Sequence, residues 1–151
     1  MRHFAVSGVV FIEDKVLLVR HTYGMAKNKL LIPGGHAKEK ELPTDAIVRE
    51  ILEETGIMTE AESILALQFK PEQWCAIFKM KYLSGTPEPD HHEISEIRLL
   101  TLEDALDRED ITHTTRVILE TLSTKQYCEL AASSFYPVSL EPSEYRIFGV
   151  I

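Results

Sequence analysis

Two almost uninterrupted apolar runs stand side by side near the start of the chain, and they limit its fold more than any other feature. The first is Ala5-Val6-Ser7-Gly8-Val9-Val10-Phe11-Ile12; after Glu13-Asp14-Lys15 comes the second, Val16-Leu17-Leu18-Val19-Arg20. Both are rich in β-branched residues, and the short polar break between them predicts a β-hairpin. A strand with one wet face alternates apolar and polar residues. These do not, so other elements must cover the hairpin on both faces. With 151 residues the chain has the size of one ordinary domain. The expectation is a single domain over residues 1–151, with 124–151 a C-terminal extension packed on it.

The remaining segments supply that cover and more sheet. Residues His21 to Lys29 are polar with one glycine and predict a loop, followed by a short run Leu30-Leu31-Ile32 and the breaker Pro33-Gly34-Gly35. A helix follows, with Thr44 as its N-cap, Asp45 in the first turn where it suits the dipole, and Gly56 as its stop. At about 100° per residue, Val48, Ile51, Leu52 and Thr55 share one side, expected to pack on the sheet, and Glu50, Glu53 and Glu54 share the other. Ile64 to Phe69 and Trp74 to Leu83 predict an antiparallel pair joined near Lys70-Pro71-Glu72, and Glu96 to Leu100 another short strand. Helices are expected at about Leu102 to Leu106 and Thr112 to Leu122. The tail from Ala131 to Ile151, with Pro137 and Pro142, is expected to pack in extended form.

Composition narrows the function. The chain is 44% hydrophobic and 26% charged, a balance that supports a packed core. Its formal net charge of -8 argues against binding duplex nucleic acid, which requires a basic face. A small anionic substrate would need a cation to reverse the local field, so the acidity hints at a divalent ion. Only Cys75 and Cys128 are present, without a signal-type N-terminus or a membrane-length apolar run. A reduced, cytoplasmic setting without membrane contact is expected.

Three carboxylates at i, i+3 and i+4 of one helix, Glu50, Glu53 and Glu54, repel one another by a few tenths of a kcal/mol per pair. A bound cation would remove that penalty, and hard oxygen donors suit Mg²⁺ or Mn²⁺. The wider pattern runs from Gly35 across five residues to Glu41, then across seven to Arg49-Glu50-Ile51-Leu52-Glu53-Glu54-Thr55-Gly56-Ile57. At every fixed position it resembles the Nudix box of the Nudix hydrolases, and Pro33-Gly34 precedes it as is usual there. The resemblance covers roughly Phe4 to Leu122.

That resemblance implies an α/β fold, an α/β/α sandwich around a mixed β-sheet, with a loop–helix–loop that holds metal. It implies Glu50, Glu53 and Glu54 as ligands, with Gly35 beside them, and Arg49 as the group that holds a carboxylate in place; Glu41 would support the loop or the metal shell. The reaction implied is attack of water at phosphorus in a nucleoside diphosphate derivative, with a carboxylate taking the proton. Glu50, Glu93 and Glu96 are the candidates for that base, Glu93 preferred for its place in a loop. For the substrate, Gly34 and Gly35 allow close backbone approach; Lys27 and Lys29 could meet phosphate, Trp74, Tyr23 or Phe69 could stack a base, and His91 and His92 could meet metal or phosphate. Leu30 departs from the aromatic residue common at its position. Two other readings carry over: a non-catalytic ligand-sensing or protein-binding module, and, lower, a fold relative of the isopentenyl diphosphate isomerases. A homodimer is a further family expectation.

Overall fold

The computed structural model describes residues 3–135 and 139–150. The hairpin is present as β1 (His3–Ile12) and β2 (Lys15–His21), and it continues into β3 (Leu30–Leu31) and β4 (Gly34–His36). Next come α1 (Pro43–Thr55), β5 (Met58–Phe69), β6 (Gln73–Ser84), β7 (Ile94–Leu100), α2 (Leu102–Leu106), α3 (His113–Thr124) and β8 (Leu130–Ala131); a single 3₁₀ turn spans Pro142–Glu144. The eight strands form one sheet in the order β3-β2-β1-β6-β5-β8, with β4 also on β1 and β7 on β2. Only β1 and β6 run parallel, from His3 opposite Gln73 to Phe11 opposite Lys81, so the sheet is mixed.

The apolar runs resolve into two faces with a period of two. Val6 and Val10 of β1, with Leu17, Val19, Ala76, Phe78 and Met80, pack under Ala46, Ile47 and Ile51 of α1. Val9, Val16, Leu18, Cys75 and Ile77 point the other way, against Ala105 of α2 and Ile118, Leu119 and Leu122 of α3. The expected double cover is therefore α1 on one face and α2 with α3 on the other. The predicted antiparallel pair is β5 with β6, and the strand expected at Glu96 begins two residues earlier.

Three expectations need correction. Thr44 is not the N-cap: Pro43 occupies the first helical position, Leu42 caps without a side-chain bond, and Thr44 is buried. Proline starts a helix without loss because its missing N–H would be unpaired there anyway. Gly34 and Gly35 are not merely a breaker, since Gly34–His36 pairs antiparallel with β1, placing Gly35 opposite Val6. The sides of α1 also differ: Leu52 is 41% exposed while Glu54 is only 3% exposed. Glu54 follows Ile47 by seven residues and Ile51 by three, and so shares their azimuth.

In the tail, β8 pairs with Ser63 and Ile64 of β5, and Phe148 meets Phe78 with ring centroids 5.9 Å apart. Pro137 lies outside the described residues. None of the described helices is long and apolar enough to cross a membrane.

Candidate active site

The site is built where β4 passes under the middle of α1. Gly35 has no room for a side chain: a Cβ there would stand 2.3–2.6 Å from the carboxyl atoms of Glu50. The α1 carboxylate thereby lies directly on the β4 backbone. At the other end of the helix Gly56 adopts φ 76° and its N–H bonds the Leu52 carbonyl. That left-handed stop costs glycine little and turns the chain straight into β5.

Arg49 organises the acidic groups. Its Nε donates to Glu41 Oε2 at 2.8 Å and its Nη2 to Glu41 Oε1 at 2.9 Å, a fork on a single carboxylate. Nη1 donates to Glu50 Oε1 at 3.0 Å and to Glu53 Oε2 at 3.2 Å. Nη2 also meets the His36 carbonyl at 3.0 Å, which ties α1 to β4. Glu41 accepts as well from the Lys38 backbone N–H at 3.0 Å. The Arg49 guanidinium is the main reason that the Glu41 carboxyl is held down at about 2.

Glu54 is the opposite case. It is buried, and its Oε2 has no hydrogen-bond partner among the described residues. Burial, and then the charge of Glu50 close by, push its carboxyl up to about 8; the Gly34 N–H works in the other direction. Burial raises Glu50 too, against the pull of Arg49. Among the described residues no three acidic, histidine or cysteine side chains converge as a chelating set; Glu50 and Glu53 are paired with Arg49. A buried carboxylate oxygen without a donor nevertheless fits a cation, which typically takes one or two carboxylates and completes its shell with water and substrate oxygens.

Glu93 is exposed, in the turn before β7, yet its charge contributes to the upward shifts of Glu50, Glu54 and Tyr23. It therefore stands on the same side as the helix carboxylates. Its carbonyl accepts from the Thr22 N–H at 3.0 Å, and Asp90 Oδ1 braces the turn by accepting from His92 N and Ile94 N, each at 2.9 Å. Sequence reasoning passed over Asp90; a short polar residue opening a turn is the signal that marks it. Glu96, the other candidate, is instead paired with Arg20 and Arg98.

A cleft of about 530 Å³ opens beside these groups. Ser7, Cys75 and Ile77 line it from β1 and β6, Leu31 and Ile32 from β3 and the residue after it, and Thr112 and Thr115 from the start of α3. Gly34, Gly35 and His36 form its border with the carboxylates, and Tyr23 and Met25 belong to its loop wall. Of the expected substrate contacts, Gly34, Gly35 and Tyr23 are brought here. Lys27 and Lys29 are exposed on the same loop, outside the lining. Trp74 also lies outside it, on the α1 face of the sheet, edge-on to Phe69 with centroids 5.2 Å apart. Leu30 is fully buried in the core beneath α3. His91 and His92 are exposed.

One ion-pair network had no sequence signature. Arg20 bonds Glu96 at 2.7 Å, Asp110 at 3.0 Å and the Asn28 carbonyl at 2.6 Å, holding the cleft loop to β7 and to the segment before α3. Its members are far apart in the chain, so only folding assembles it.

A mixed sheet between helices, with an acidic helix anchored on a glycine strand beside a cleft, defines an α/β sandwich fold. The chain belongs to the Nudix family: the NUDIX domain model matches residues 1–122. Hydrolases of this family generally use divalent metal ions. The chain is similar to an ADP-ribose pyrophosphatase from Methanocaldococcus jannaschii, 33% identical over 69 residues, or 46% of this chain and 41% of that protein. It is also similar to a protein named as a probable DHNTP pyrophosphohydrolase from Lactococcus lactis, 41% identical over 56 residues, or 37% of this chain and 32% of that protein. The chain thus matches less than half the length of either relative. Among solved structures, a Nudix hydrolase from Nitrosomonas europaea superposes with a TM-score of 0.75 at 24% identity, covering 83% of this chain and 72% of that one.

Proposed function

We propose that this protein is a divalent-cation-dependent pyrophosphohydrolase that cleaves a phosphoanhydride bond in a nucleoside diphosphate derivative. The class includes nucleoside triphosphates, ADP-ribose, nucleotide sugars and dinucleoside polyphosphates. The observation that carries the reading is Glu54, a buried carboxylate with an unpartnered oxygen beside Glu50. Such a group is expensive in the folded protein unless a cation or a proton completes it.

Glu50, Glu53 and Glu54, with the Gly35 backbone, would hold Mg²⁺ or Mn²⁺, and Glu93 would reach it from the facing loop. When bound, a divalent ion supplies charge neutralisation at the phosphoryl oxygens and acidifies a water. Arg49 keeps Glu41, Glu50 and Glu53 in fixed positions throughout. The Gly34-Gly35 backbone lets the pyrophosphate approach without meeting a side chain, and the cleft takes the group attached to it. Glu93 accepts the proton of the attacking water at its carboxylate while the bridging P–O bond breaks. An exposed carboxylate in a braced turn suits that task, because it can pass the proton on to solvent.

The test is release of phosphate or nucleotide from a panel of those four substrate types, with Mg²⁺, with Mn²⁺ and with chelator. Metal-dependent release from any member supports the reading. Folded protein that turns over none of them favours the non-catalytic module, and release that is unchanged when Glu53 or Glu54 becomes alanine refutes the part given to these carboxylates.

A further inference from the structure

The cleft contrasts with the rest of the molecule. The chain carries 24 Asp and Glu residues, yet none of the described residues that line the cleft is acidic. Near the β5–β6 turn its polar groups are the amides of Gln68 and Gln73 and the ammonium of Lys70. The Gln73 amide nitrogen lies 2.9 Å from His36 Nε2. An amide nitrogen only donates, so His36 accepts there and takes one of its two hydrogens. One N–H and the carbonyl oxygen of Gln73 remain for a ligand. At the loop wall Tyr23 stacks on His21 with centroids 5.8 Å apart and planes 9° apart. Tyr23 is 53% exposed, which leaves an aromatic surface for a flat ring system.

An amide that offers a donor beside an acceptor matches the N6 amino group and N7 of adenine in a bidentate pair. Guanine places two donor groups, N1–H and N2–H₂, on one edge. Ionised carboxylates would pair them, and none of the described lining residues is acidic; the Lys70 ammonium could meet guanine O6 and N7 but leaves that donor edge unpaired, which is costly. We infer that this cleft binds adenine and discriminates against guanine, with Gln73 and Gln68 as the specificity-determining residues and Tyr23 as the stacking surface. The proposal deepens the pyrophosphohydrolase reading by naming the base of the substrate, and it rests on that reading for the position of the diphosphate.

Nucleoside diphosphate glucoses test it, because ADP-, GDP-, UDP- and CDP-glucose share a leaving group and differ only in the base. The expected kcat/KM for ADP-glucose exceeds that for GDP-glucose by about tenfold or more, the size of one good bidentate contact. In Gln73→Glu and Gln68→Glu that ratio falls by about tenfold, with the thermal midpoint of unfolding within a few degrees of the wild type. Turnover of GDP-glucose or of either pyrimidine derivative as fast as ADP-glucose overturns the proposal, as does an unchanged ratio in both variants. Ligand-observed NMR with AMP and GMP on the metal-free protein separates the two readings. AMP bound over GMP, without turnover of any sugar or of the other three substrate types, sustains base recognition and sinks the hydrolase; equal binding, or binding of neither, sinks base recognition whatever the turnover.

Discussion

Replacing Glu54 by glutamine removes an ionisable group from a place where ionisation is unfavourable. In the folded protein its carboxyl lies at about 8 instead of 4.5, chiefly through burial. Between those two values the unfolded chain has released the proton and the folded chain retains it. The folded state then binds more protons, so stability falls as pH rises through that window and is fully present only below about 4.5. At roughly 1.36 kcal/mol per pH unit the interval corresponds to ~5 kcal/mol. Glutamine keeps the shape and is neutral at every pH, though its amide brings a buried donor that must be satisfied. The expected net gain for Glu54→Gln is therefore about 2–4 kcal/mol at pH 8, shrinking toward zero near pH 4.5. Urea unfolding in chelator at a series of pH values measures it. The same variant should lose hydrolysis, and Mg²⁺ should raise the unfolding midpoint of the wild type far more than that of the variant. A variant no more stable than wild type at pH 8, with the same pH slope, would refute the picture of Glu54 as a strained carboxylate relieved by a cation.

Other outcomes follow from the same geometry. Arg49→Lys keeps the charge but cannot fork onto Glu41 while also reaching Glu50 and the His36 carbonyl, so kcat is expected to fall about 10²-fold with the fold intact, measured by steady-state kinetics and circular dichroism. Glu41 is held at about 2 in the folded state; its stabilisation is present above the ordinary value of 4.5 and is lost as pH falls through about 2. Glu41→Gln should accordingly unfold about 1–2 kcal/mol more easily at pH 6 and show a shallower acid limb in thermal melts. Arg20→Ala releases the cleft loop from Glu96, Asp110 and the Asn28 carbonyl, and the expected sign is a severalfold rise in KM with a much smaller change in kcat.

Layer structure was legible from the hairpin because continuous apolar runs admit only one burial pattern, and Val6 with Val9, or Leu17 with Leu18, do point to opposite helices. The helix of the box and its glycine stop were legible for a similarly local reason: Gly56 and the periodicity lie within one segment. The cleft was not. Ser7, Leu31, Gln73 and Thr115 come from four elements, and each alone reads as an ordinary strand or helix residue. Trp74 was an attractive base-stacking candidate as a lone tryptophan, but its parity on β6 is that of Ala76 and Phe78, so it faces α1 instead of the cleft.

The misplacement of Glu54 has a sharper cause. Assigning three glutamates to one wet face assumes that charge decides which way a helix turns. On α1 apolar packing decides it, and once Ile47 and Ile51 are fixed in the core the backbone carries Glu54 in with them. Glu53, one residue earlier, stays outside, and Glu50 lies between the two. A carboxylate at a core azimuth with no basic residue one turn away is thus a conflict already present in the sequence, between the polarity of a residue and its phase on the helix. Where a fold retains such a conflict, the usual compensation is a function for the misplaced group. By that argument Glu54, the residue whose place was read wrongly, is the one whose burial speaks most directly for a bound cation.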